Sequence, residues 1–97
     1  MAVDPGAIDA ALAAAVGDDP VLIAELRAAF VDSARAGLAA IEAAEDDGTW
    51  RAAAWRLKGL AASFGAIRLA ALATEAAGNP AGDAQMVKQL RQLIARL

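Results

Sequence analysis

A chain of 97 residues and 9.8 kDa has room for one domain with a modest core, so residues 1–97 are expected to form a single unit. Roughly three residues in ten are alanine, and β-branched and aromatic residues are scarce, which favours an all-α fold and leaves a sheet little to build from. No histidine and no cysteine are present, which excludes zinc fingers, disulfides and any Ser-His or Cys-His catalytic pair, while a net charge of −3 argues against a general nucleic-acid binder.

Asp4-Pro5 reads as an N-cap followed by proline at the first helical position. Ile8, Leu12 and Val16 then give one apolar stripe on a short first helix, which Gly17 ends. Asp19-Pro20 repeats the start signal. It opens the longest helix, to about Ala44, with Ile23, Leu26, Phe30, Ala34, Gly37, Leu38 and Ile41 at helical spacing. Glu45-Asp46-Asp47-Gly48 is an acidic turn. It reads as a helix cap rather than a metal site, because no EF-hand spacing is present.

A third helix is predicted from near Thr49, with Trp50, Ala54, Leu57, Ala61 and Phe64 on one face and Gly65 at its end. A fourth, from about Ala66 to Ala77, turns Leu69, Leu72, Ala73 and Ala76 inward. Gly78-Asn79-Pro80-Ala81-Gly82 is a loop. The last helix opens at Asp83 and buries Met86, Leu90, Leu93, Ile94 and Leu97, with Arg91 and Arg96 complementing its dipole. Short loops between amphipathic helices imply an antiparallel up-down four-helix bundle with a short additional N-terminal helix.

Charge divides unevenly along this series. Residues 1–50 carry ten acids and two bases, and residues 51–97 carry two acids and seven bases, so a basic face for an acidic partner is expected in the second half. No apolar run approaches the ~20 residues of a membrane span. Residues 1–6 also lack the basic and apolar regions of a secretory signal, so a cytoplasmic protein without a membrane partner is expected. Small bundles seldom provide the cleft that carboxylate chemistry needs, and the expectation is no enzyme, no cofactor and no metal.

The third helix carries the most information. Trp55 lies about 140° around the axis from Trp50, off the apolar stripe, and shares a face with Arg51, Lys58, Gly59 and Ala62. A mid-helix glycine costs about 1 kcal/mol relative to alanine, so Gly59 asks for a reason such as close approach of another chain. The competing reading is that Trp55 packs on the first helix or on its own neighbours, because tryptophan is usually largely buried. Arg51, Arg56 and Lys58 form either a phosphate site or, more simply, a solvated charged face. Residues 60–77 faintly resemble a helix-turn-helix. Their second helix, however, offers only Arg68 and Thr74 before Glu75, too few polar groups for base readout.

The run Ala54-Trp55-Arg56-Leu57-Lys58-Gly59-Leu60-Ala61-Ala62-Ser63-Phe64-Gly65-Ala66, followed by Leu69 and Leu72, resembles the signature of histidine-containing phosphotransfer (Hpt) domains. That signature reads Ala-His-x-Leu-Lys-Gly-x-Ala, then three residues, then Gly-Ala and a leucine. Leu57, Lys58, Gly59, Ala61, Gly65 and Ala66 fall in register, and the resemblance spans roughly residues 19–97. It implies an Hpt-like bundle in two-component phosphorelay signalling. Its partner-binding face would be Arg51, Trp55, Arg56, Lys58, Gly59 and Ala62, docking the receiver domain of a response regulator or a histidine kinase.

The sequence departs from the family where the chemistry resides. Trp55 stands at the phospho-accepting histidine, and indole has no basic ring nitrogen to take a phosphoryl group. Leu60 replaces the small residue after the glycine, and Ala77 an acidic position late in the fourth helix. The resemblance therefore implies a non-catalytic, pseudo-phosphotransfer binding module. Two alternatives are a homodimerising scaffold that self-associates through the exposed indole, as a monomer in weak exchange with its dimer, and a DNA-binding adaptor using the basic half.

Overall fold

The computed structural model describes residues 5–97, with side chains from Ile8 onward. Five helices follow in order: α1 (Pro5–Val16), α2 (Pro20–Ala43), α3 (Asp47–Ser63), α4 (Ile67–Ala77) and α5 (Ala84–Ala95). Among the described residues there is no strand. The expected N-cap at Asp4 lies outside them.

Three of the starts are fixed by aspartate. The Asp19 side chain accepts from the N–H groups of Val21 and Leu22 at 3.0 and 3.2 Å, with Pro20 ready for the first turn. Asp83 accepts from the Met86 N–H at 3.1 Å and holds the Asn79 amide at 3.0 Å. Asp46 caps α3, so this helix starts at Asp47, two residues before the predicted Thr49. The end of α3 has a Schellman geometry: the Ala66 N–H reaches Ala61 O at 2.9 Å and the Gly65 N–H reaches Ala62 O at 3.3 Å. Gly65 has φ +74°, a region that a side chain disfavours, which accounts for glycine at this point.

Contacts between α2 and α3, α3 and α4, α4 and α5, and α2 and α5 close a ring of four helices, while α1 packs on α2. This is the all-α bundle with an additional leading helix that the punctuation implied. One cluster of buried side chains runs through it, built on Ile8, Phe30, Ile41, Trp50, Leu57, Leu69 and Leu90 and filled in by alanines such as Ala34, Ala54, Ala61 and Ala73. Alanine at these positions lets helices approach closely. At Gly37 the approach is close, since a Cβ there would meet Leu57 Cδ1 at 3.2 Å. Phe30 and Phe64 stack with ring centroids 4.8 Å apart.

Helix α2 is the longest of the five. Its buried residues lie between Phe30 and Ile41, and nearer its start Arg27 forms an ion pair with Asp9 of α1. Val16, expected on the apolar stripe, is 39% exposed at the C-terminal end of α1, where the described residues do not cover it. Arg91 bonds Glu42 of α2 at 3.0 Å, and Arg96 is the C-cap residue of α5. The expected dipole role of Arg91 is thus replaced by a tie between helices.

Candidate functional site

Helix α3 has two faces of opposite character. Trp50, Ala53, Ala54, Leu57 and Ala61 are buried, and Arg51, Ala52, Trp55, Arg56, Gly59, Ala62 and Ser63 are exposed. At about 100° per residue, Arg51, Trp55, Lys58, Gly59 and Ala62 share one outward stripe. Arg56 stands on its flank, about 100° from Trp55. The six residues of the expected partner-binding face therefore lie on one side of one helix, with only Lys58 partly covered.

The two tryptophans differ as the spacing predicts. Trp50 is 1% exposed, and its Nε1 donates to Ala76 O at 2.7 Å, linking α3 to α4 through an otherwise apolar core. Trp55 is 47% exposed, and Lys58 Nζ sits 5.8 Å from its ring centroid. A cation at this distance is attracted by the ring face and reduces the freedom of both side chains. Trp55 is thus not enclosed by the fold, and the neighbour beside its ring is Lys58 of the same helix.

Beside the indole, Gly59 opens onto empty space, since a Cβ built there would meet nothing within 4 Å. Among the described residues, no packing therefore demands glycine there. The Ser63 hydroxyl donates to Gly59 O at 2.9 Å, folding a polar group back onto the helix. The stripe thus presents an indole ring, a nearby positive charge and an open position at Gly59.

Family membership is decided by a comparison that covers this helix and its bundle. The Hpt domain family model matches residues 23–97. The chain belongs to the Hpt domain family. No curated protein and no solved structure matches it significantly. Hpt domains serve phosphorelay signalling, where they interact with response regulators and kinases as phosphotransfer modules rather than as enzymes in the ordinary sense. The matched stretch takes in all of α3, α4 and α5 and most of α2.

Elsewhere on this Hpt domain several polar groups have structural duties. Asp46 accepts from the Thr49 N–H at 2.7 Å and from the Thr49 hydroxyl at 3.0 Å, and these bonds hold its carboxyl below the usual carboxylate range. Asp47 accepts from the Ala81 N–H at 2.8 Å and ties the α2–α3 turn to the loop before α5. The acidic turn thus works as cap and tie, a role that spacing alone could not assign to Asp47 because its partner lies 34 residues away. In α4 the Thr74 hydroxyl donates to Ala70 O at 2.9 Å, so the helix that faintly resembled a DNA reader spends that group internally.

Proposed function

We propose that this chain is a non-catalytic Hpt domain that binds the receiver domain of a response regulator through the outer stripe of α3. The observation that carries the reading is the half-exposed Trp55 with Lys58 beside its ring, at the position where the family resemblance expects the phospho-accepting histidine. With no histidine in the chain, imidazole phosphorylation is chemically closed. In this reading a large aromatic anchors the contact, Arg51, Arg56 and Lys58 attract an acidic partner face, and Gly59 leaves room for its backbone.

Titration against purified receiver domains tests the proposal. Trp55→Ala is expected to weaken binding by about 2 kcal/mol or more, as buried interface tryptophans do. Gly59→Ala makes a sharper distinction. Alanine there gains about 1 kcal/mol of helix stability, because nothing obstructs its Cβ, yet it is expected to weaken receiver binding by filling the gap. Incubation with a phosphorylated receiver is expected to leave the chain free of acid-labile phosphate. Receiver binding unaffected by both substitutions, or phosphate retained on the chain, would overturn the reading.

A further inference from the structure

A groove of about 520 Å³ runs between α4 and α5, lined by Arg68, Leu72, Glu75, Gln89, Leu93 and Arg96 among others. Arg68, Leu72 and Glu75 line it in order from α4, and Gln89, Leu93 and Arg96 in order from the α5 side; the chain reverses between the two helices, so the arginines fall toward one end and Glu75 and Gln89 toward the other. None of the lining residues belongs to α3, so the groove is separate from the Trp55 stripe. Leu72 and Leu93 were expected to point inward, yet both remain partly exposed along the groove.

The opposite chemistry occurs at the α1–α2 tip. Val16, Val21 and Leu22 are 39%, 66% and 36% exposed, a run of apolar side chains around one turn. Asp18, Asp19 and Glu25 flank them, and between Asp9 and Arg27 the chain carries no base. Arg27 itself is paired with Asp9. The tip is convex, acidic and apolar, whereas the groove is concave, with a basic end and an apolar middle.

We propose that the α4–α5 groove binds the α1–α2 tip of a second copy of this chain. Asp18 meets the Arg96 end, where charge-assisted bonds to guanidinium are short and directional, while Val21 and Leu22 cover Leu72 and Leu93. Arg68 already has an interaction within the chain, so Arg96 is the residue on which the charge pairing rests. The contact joins unlike surfaces and is head-to-tail, and the Trp55 stripe of each copy stays open.

Sedimentation of the full chain over a range of concentrations tests this without any receiver present. The average mass is expected to rise with concentration and to fall with added salt, which screens exposed charge pairs. Asp18→Lys and Arg96→Glu are each expected to weaken association about tenfold or more, and the double variant to recover most of it. Leu22→Ser weakens it with no charge change. Circular dichroism verifies that every variant keeps its helices. A chain that stays monomeric throughout overturns the proposal, even if its groove binds a free acidic peptide. Association lost in Trp55→Ala but untouched by Arg96→Glu also overturns it, as does a double variant that recovers nothing.

Discussion

At the scale of single residues, Trp50 and Trp55 show how position on one helix separates structural from surface roles. Trp50 is enclosed, and its indole N–H has found the Ala76 carbonyl, which also accepts from the Asn79 N–H at 3.0 Å. Replacement by alanine leaves a large cavity in a small alanine-rich core and is expected to cost about 3–5 kcal/mol, a large fraction of the stability of such a domain. Trp55 has about half its surface in water and one weak cation contact. Its loss is expected to cost about 1 kcal/mol or less. Thermal or denaturant melts of the two variants measure the contrast directly. Equal destabilisation would make Trp55 a core residue and remove the basis for a docking stripe.

At the scale of elements, three helices are held at their starts by aspartate side chains. The Asp46 carboxylate is favoured in the folded state by the Thr49 N–H and hydroxyl, so its folded pKa lies below its unfolded value. A carboxyl shifted in this direction contributes stability in full above its unfolded pKa of about 4. That contribution is lost as pH falls through the folded pKa, because protonation removes the charged acceptor. Stability is therefore expected to decline on the acid side of about pH 4. Asp46→Asn, which keeps a capping oxygen but cannot ionise, should flatten that limb. Denaturant midpoints of both proteins across the acid range provide the measurement. A limb of unchanged steepness in the variant would show that other carboxylates carry it.

At the scale of the whole molecule, no histidine or cysteine is present, and Asp46 shifts away from neutrality. No side chain has an ordinary pKa between about 6 and 9, so the denaturant midpoint is expected to stay nearly constant across that range. The number, order and polarity of the helices were legible in the sequence because those properties are local. Apolar spacing, Asp-Pro starts and the Gly65 stop act within a turn or two of themselves, and the apolar stripe through Trp50 and Leu57 put Trp55 on another face of the helix, which the tertiary structure then left half exposed. Tertiary packing decided what depends on residues distant along the chain. The Trp50 bond to Ala76, the Asp47 tie to Ala81 and the Arg91 bond to Glu42 need helices brought side by side. The exposure of Val16 and the groove between Leu72 and Leu93 have the same origin. Periodicity states which face of a helix is apolar, but only the neighbouring helices determine how much of that face they cover.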